Sequence, residues 1–498
     1  MNPKSFWLAF VVLVLLVSPL TGCTPSKFKP AECQFEVPSG VEIDCGNLSV
    51  PEDRGQEDSP MIQLHVAIIR TQNPNPAPDP IVILQGGPGG YALDSMAMSY
   101  WLYIFDFARM DRDLIVLDQR GVGYSRPSLN CPEAENQWYQ DWTQNLSSEV
   151  SDQHYAQALQ ACHDRLVAEG INPSAFTSAA NAADVEDLRI ALGYSKWNLY
   201  GSSYGTRLAL TVMRDYPGGV RSVILDSVYP PQVDLYASIA TDFERSLNLV
   251  FARCAADVDC NNAYPDLKTV FYKLVDQLDA EPLTFTLYRS STGEFYKVIL
   301  NGDRFIWSAF QMLYMTDKIP SLPWRIVSLQ SGNTTAYPEL LQQTIFSDDS
   351  WNEGMYYSIQ CNEEVPFGSI AYLESANQNV TTRLLDVFGG GENYQDCAVW
   401  GTGKPSPIEN EAVISDIPTL ILSGEFDPIT PPAWGRLTAE NLDNSQFLEF
   451  PGFGHGIMGA GLDGGSCSQK IVEDFLGEPD ASVDASCIDS YGLIFMTK

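Results

Sequence analysis

Gly201-Ser202-Ser203-Tyr204-Gly205 fits the pattern G-x-S-x-G. In that pattern a serine stands on a sharp turn between a strand and a helix, with its hydroxyl presented for attack on a carbonyl. Glycines on either side let backbone segments approach without Cβ clashes. The flanks suit such a turn, because Trp197-Asn198-Leu199-Tyr200 reads as a strand and 204–216 as a helix. A serine nucleophile needs a base. The chain has four histidines: His65, His154, His163 and His455. His65 lies in an early strand-like stretch, and His154 and His163 lie in a polar region with helical character. His455, in Gly452-Phe453-Gly454-His455-Gly456, directly follows a strand, and elimination favours it. The base in turn needs an orienting carboxylate. Asp427 follows the strand Leu420–Leu422 and precedes His455 by 28 residues. Asp226, at the end of another strand, is the runner-up acid, and Glu425 is a weaker one.

An acyl transfer of this kind also needs donors for the developing oxyanion, each worth about 3–4 kcal/mol. The N–H of Tyr204, next after the nucleophile, is one expected donor. The other is expected from Gln85-Gly86-Gly87-Pro88-Gly89-Gly90, directly after the buried strand Ile81–Leu84, with Gly87 favoured. This loop lacks the Lys-Ser/Thr ending of a phosphate loop. Asp257, Asp259 and Asn261 resemble the start of a calcium loop, but Asn262 stands where glycine is needed and Lys268 where glutamate is needed. No cofactor or metal is expected.

Alternating apolar strands and helices must position these residues. Strands are expected at about Gln63–Arg70, at 80–84, 113–118, 197–200 and 220–225, with an amphipathic helix over 181–193. The alternation indicates a mostly parallel sheet covered by helices on both faces. After Pro230-Pro231 the rhythm becomes helical and rich in aromatics, as in Leu235–Val250 and Leu267–Leu278. Sheet pattern returns at Ile417–Leu422 and Gln446–Phe450, and a last helix falls near Gln469–Leu476. The expected division is a core over 40–231 and 406–498, interrupted by a helical insertion over 232–405.

The 498 residues are 45% hydrophobic and 11% aromatic, which excludes global disorder. A net charge of −34 excludes nucleic acid as a partner. At the amino terminus Lys4 precedes an apolar run from Phe6 to Val17, too short to span a bilayer, so 1–22 reads as a signal peptide. Leu20-Thr21-Gly22-Cys23 resembles the bacterial lipobox, which implies a lipid on Cys23, a membrane attachment, and a tether from Thr24 to about Glu32 within an amino-terminal segment over 23–39. A plain secretory signal is the alternative. Without Cys23, ten of the 11 cysteines remain, and an even count in an exported chain favours disulfides. Nearest-neighbour pairing gives Cys33–Cys45, Cys131–Cys162, Cys254–Cys260, Cys361–Cys397 and Cys467–Cys487.

Together these residues resemble the prolyl-aminopeptidase-related serine peptidases of the α/β-hydrolase fold, and within them the secreted tripeptidyl aminopeptidases. The order Ser203…Asp427…His455 is that of α/β hydrolases. Gln85–Gly89 is similar to the family's HGGPG motif, departing from it at Gln85. Asp118-Gln119-Arg120-Gly121-Val122-Gly123-Tyr124-Ser125 matches its DQRGxGxS motif. The resemblance implies that the insertion caps the active site and that cap carboxylates bind the substrate's α-ammonium. Ile359-Gln360-Cys361-Asn362-Glu363-Glu364-Val365-Pro366 looks like that cap segment, with Glu363 or Glu364 as the candidate. The expectation is a serine exopeptidase acting on peptide substrates through an acyl-enzyme. An esterase or lipase with the same triad is the alternative, and an inactive binding protein on the same fold is a third. The oligomeric state is not legible.

Overall fold

The computed structural model describes residues 27–108, 111–346, 351–401, 403–458, 460 and 466–497. The signal segment and Cys23 therefore lie outside the described residues. Nine strands form one sheet: β1 (Phe28–Pro30), β2 (Ile43–Pro51), β3 (Met61–Ile69), β4 (Ile81–Leu84), β5 (Leu114–Leu117), β6 (Trp197–Ser202), β7 (Val220–Asp226), then β10 (Thr419–Gly424) and β11 (Ser445–Phe450). β8 (Leu283–Arg289) and β9 (Glu294–Leu300) form a separate antiparallel hairpin. The order across the sheet is β1-β2-β3-β5-β4-β6-β7-β10-β11. β1, β2 and β3 pair antiparallel, as do β3 and β5, and every later pair is parallel. The middle strands carry side chains that are apolar on both faces, as β4 (Ile-Val-Ile-Leu) and β5 (Leu-Ile-Val-Leu) show, because helices cover both sides.

Three hydrophobic clusters follow from this. Two lie on opposite faces of the sheet, since alternate residues of one strand divide between them: Val82 and Leu84 join one, Ile81 and Ile83 the other. The third is built mainly from the chain between β7 and β10, around Phe243, Phe271, Phe305 and Leu341, with Tyr139 and Trp142 joining it from the helix Pro132–Trp142.

Some expectations need correction. The segment between β7 and β10 is not purely helical, because the β8–β9 hairpin lies within it. The early strand β2 gave no clear alternation and was not anticipated. Phe28–Pro30, expected within a tether, pair with Leu48, Asn47 and Gly46 of β2. The ten described cysteines form five disulfides, each joining neighbours in the sequence. No described helix is long and apolar enough to cross a membrane.

Candidate active site

Ser203 follows the end of β6 and precedes the helix Tyr204–Asp215. Its backbone is held at φ 55°, a conformation that side chains rarely adopt. Its N–H donates to the Asp226 carbonyl at 2.9 Å. Gly205 is required here, since a Cβ would run into the Leu84 carbonyl. The loop after β4 packs directly on the elbow, for a Cβ added to Gly86 would lie 3.0 Å from the Ser203 Cβ. Gly87 sits in that loop at φ +119°, a conformation natural only to glycine. Gln119 steadies the loop by donating to the Gln85 carbonyl at 2.8 Å. Asp118 accepts the N–H groups of Ala92, Leu93 and Tyr124. Its carboxyl is pushed up to about 6 by burial, against the pull of those hydrogen bonds. The Asp118–Ser125 motif thus builds the support of the loop bearing Gly87.

Asp427 lies in the turn after β10 and His455 in the turn after β11. Their Oδ2 and Nδ1 are 2.8 Å apart. Asp427 is fully buried. Its Oδ1 accepts the N–H groups of Ile429 and Thr430 at 3.0 and 2.9 Å, and its Oδ2 accepts the Thr430 hydroxyl at 2.7 Å. Burial opposes ionisation here, but the imidazole and the hydrogen bonds outweigh it and hold the carboxyl below its usual range. Backbone hydrogen bonds join the two turns, from Phe426 to the Phe453 carbonyl and from Glu425 to the Phe450 carbonyl.

The other titratable candidates are occupied elsewhere. Asp226 accepts from Ile457, Met458 and the Tyr200 hydroxyl, so it anchors the turn after His455 rather than the imidazole itself. Glu425 accepts from Arg253 and from the Gly452 N–H. His65 pairs with Asn47 and His154 with Asp141, while His163 packs edge-on to Trp400.

Glu363 and Glu364 lie in the interior. Both are buried, at 2% and 4% exposure. Glu364 Oε2 accepts from Arg207 at 2.8 Å and from the Tyr229 hydroxyl at 2.6 Å, and Oε1 accepts from the Leu235 N–H. Glu363 Oε1 accepts the Ser178 N–H, and its Oε2 lies 3.8 Å from Arg207. Burial raises both carboxyls, against the attraction of Arg207. They are not solvated surface acids: they form a buried charge cluster beside the elbow helix, and Glu363, whose Oε2 has no hydrogen-bond partner among the described residues, also lines a smaller cavity of about 270 Å³.

An acidic cavity lies elsewhere. It has a volume of about 370 Å³ and is walled by Trp138, Trp142, Tyr155, Trp307, Trp351 and Tyr357, with Asp152, Glu392 and Asp396 among its acids. Trp351 also stands against the oxyanion loop, 3.2 Å from where a Gly87 Cβ would be. Asp152 is pushed up to about 7 by burial and by the repulsion of Glu392, Asp303 and Glu149. Asp396 is pushed up to about 6, again by burial first, with Asp152 adding to it and the Tyr357 hydroxyl opposing. Arg304, the one basic residue among the described residues that line the cavity, donates to the carbonyls of Asp141, Trp142 and Ile299.

Sequence reasoning passed over Thr430, this cavity and Tyr314, whose ring lies over that of His455 with centroids 4.2 Å apart. Asp427-Pro428-Ile429-Thr430 carries a local signal, since an Asp before Pro often accepts from the backbone two residues on. Tyr314 and the cavity acids carry none, because they come from segments far apart in the chain.

The alpha/beta hydrolase fold family matches residues 79–460. The serine protease Hip1 of Mycobacterium tuberculosis is 25% identical over 466 residues, covering 89% of this chain and 86% of that protein. Carboxylesterase B of the same species is 27% identical, covering 86% and 83%. The putative hydrolase YuaR of Escherichia coli is 23% identical, covering 90% and 89%. With more than half its length matched, the chain belongs to the alpha/beta hydrolase fold family, as a serine hydrolase.

Proposed function

We propose that this chain is an exported serine aminopeptidase of the prolyl or tripeptidyl type, cleaving short peptides from a free amino terminus. Ser203 attacks the scissile carbonyl, and His455 takes its proton through Nε2. Asp427 holds the imidazole by Nδ1 and stabilises the imidazolium. The N–H groups of Gly87 and Tyr204 receive the oxyanion. His455 then returns the proton to the leaving amine, and water hydrolyses the acyl-enzyme.

The observation that carries the choice of peptide over ester is the acid-lined cavity sharing Trp351 with the oxyanion loop. No basic side chain among the described residues pairs with Asp152, Glu392 or Asp396. A substrate ammonium would relieve their mutual repulsion, and the surrounding aromatic faces favour a cation. A neutral ester offers neither gain. The relative named carboxylesterase B keeps an ester substrate as the second reading. Five disulfides support export. The lipobox-like Leu20–Cys23 supports a lipid anchor on Cys23 in a bacterial membrane.

The test uses protein beginning at Thr24, with Ser203→Ala as control. Both are incubated with peptides bearing free or acetylated amino termini, and products are identified by mass spectrometry. Trimming of the free set alone supports an aminopeptidase, and fragment length separates single residues from tripeptides. Cleavage of neither set ends the peptidase reading and turns the test to an ester panel.

A further inference from the structure

The helix Gly302–Tyr314 ends on the turn that carries His455. The Tyr314 carbonyl accepts the His455 N–H at 2.9 Å. The Tyr314 ring lies over the imidazole, with centroids 4.2 Å apart and planes 30° apart. Two residues on, the Thr316 hydroxyl accepts the Gly454 N–H at 3.0 Å. Gly454 fits only as glycine, because a Cβ there would strike the Leu313 carbonyl. The turn that carries Asp427 is fastened in the same way by the helix Leu235–Ala256. From that helix Arg245 donates to the carbonyls of Glu425 and Asp427 at 2.9 and 2.6 Å, and the Ser246 hydroxyl donates to the Phe426 carbonyl. Phe426 itself, between Glu425 and Asp427, is fully buried in the hydrophobic cluster built mainly from the chain between β7 and β10.

The imidazole has few other holds. Asp427 and Thr430 grip it at Nδ1, while Nε2 is buried and has no hydrogen-bond partner among the described residues. A ring gripped at one edge can still tip about that edge. Tyr314, packed on its face, removes that freedom. An aromatic face also favours the imidazolium that forms when Ser203 gives up its proton. We propose that the insertion between β7 and β10 positions the acid and the base of the triad, with Tyr314 as the positioning residue of His455 and Arg245 as that of Asp427. The insertion then does more than enclose substrate: the Asp427–His455 pair is aligned by its docking. This rests on Ser203, Asp427 and His455 as the triad and holds for peptide and ester substrates alike.

The test compares the wild type with Tyr314→Leu, Tyr314→Phe, Arg245→Met and Arg245→Lys. One readout is the second-order rate of labelling by a small fluorophosphonate, which needs the triad but not the acidic cavity. In that reaction the Ser203 Oγ–P bond forms, the P–F bond breaks, fluoride leaves and the proton passes to His455. The other readout is kcat and KM on one peptide. Leucine fills much of the tyrosine's space without an aromatic face. Tyr314→Leu is expected to lower the labelling rate and kcat about tenfold to a hundredfold, the scale of a misplacement of about 1 Å, with KM little changed. Tyr314→Phe is expected to restore most of that rate, because the ring and the main-chain bond remain. Arg245→Met is expected to lower both rates by a similar factor, and Arg245→Lys to recover part of the loss. A merely structural role would lower the melting temperature without separating kcat from KM. Leu and Met variants that label at the wild-type rate overturn the proposal. So does a rise in KM alone, which reduces the insertion to an enclosure for substrate. If Tyr314→Leu does not fold, the Arg245 variants decide by the same criteria. A wild type that does not label overturns the nucleophile assignment and the positioning roles with it. Labelling without peptide cleavage counts against the peptidase reading alone, and the labelling rates still decide the positioning roles.

Discussion

Arg207 and Glu364 form an ion pair at 2.8 Å, each side chain only 2% exposed. Arg207 also lies 4.9 Å from the centroid of the Tyr229 ring and donates to the Glu363 carbonyl. The pair joins the helix that follows the nucleophile to the helix Glu353–Glu363. Removing one partner of such a pair leaves an uncompensated buried charge. Arg207→Met is therefore expected to cost about 3–5 kcal/mol of stability. Urea unfolding monitored by circular dichroism measures this. A loss under 1 kcal/mol would show that the two glutamates are not held by Arg207.

Thr430 contributes a hydroxyl hydrogen bond to the buried Asp427 carboxylate and lies 3.0 Å from His455 Nδ1. A hydrogen bond to a charged group is worth about 1.5–3 kcal/mol. Thr430→Val is expected to lower kcat about tenfold or more, with KM little changed and Thr430→Ser restoring much of the rate. Steady-state kinetics on one peptide decides it, and an unchanged kcat would count against the bond's role.

The cavity acids predict a pH dependence of ligand binding separate from that of catalysis. Asp152 is raised to about 7 and Asp396 to about 6. A bound cation favours their ionised forms and so lowers these values. Affinity is then full above about pH 7 and falls as pH drops through 7 toward 5. Calorimetry with the Ser203→Ala protein and a tripeptide with a free amino terminus is expected to show this decline, whereas an acetylated peptide shows none. A flat profile for the free peptide would remove the cavity from substrate recognition.

Cys361–Cys397 joins the helix Glu353–Glu363 to the helix Gly391–Trp400. The first carries Tyr357 of the cavity wall, and the second carries Glu392 and Asp396. Replacing both cysteines by serine is expected to cost about 2–4 kcal/mol. KM is expected to rise more than kcat falls, because the cavity loosens while the triad rests on other elements. Thermal unfolding and kinetics of the double variant test both parts, and a fall in kcat alone would contradict the second.

The sequence by itself determined the strands from β3 to β7 with β10 and β11, and the placement of Ser203, Asp427 and His455. Each of these follows from local signals: apolar runs of strand length, a Gly-flanked serine between strand and helix, and turns directly after β10 and β11. Register in a parallel sheet brings the carboxyl ends of β6, β10 and β11 to one edge, so residues there meet without long-range information. Neighbour pairing of the cysteines was legible for a similar reason, since short loops close with little entropy. Only the tertiary structure decided what surrounds the triad. Glu363 and Glu364 look like ligand acids as a sequence; that Arg207, 156 residues before the first of them, pairs with them in the interior is visible only in the fold. Asp152, Glu392 and Asp396 come from two helices, Ser148–Ala168 and Gly391–Trp400, whose chain separation leaves no periodic trace. Tyr314 meets His455 across 140 residues of intervening chain, a contact that depends on how the insertion docks rather than on any pattern within it.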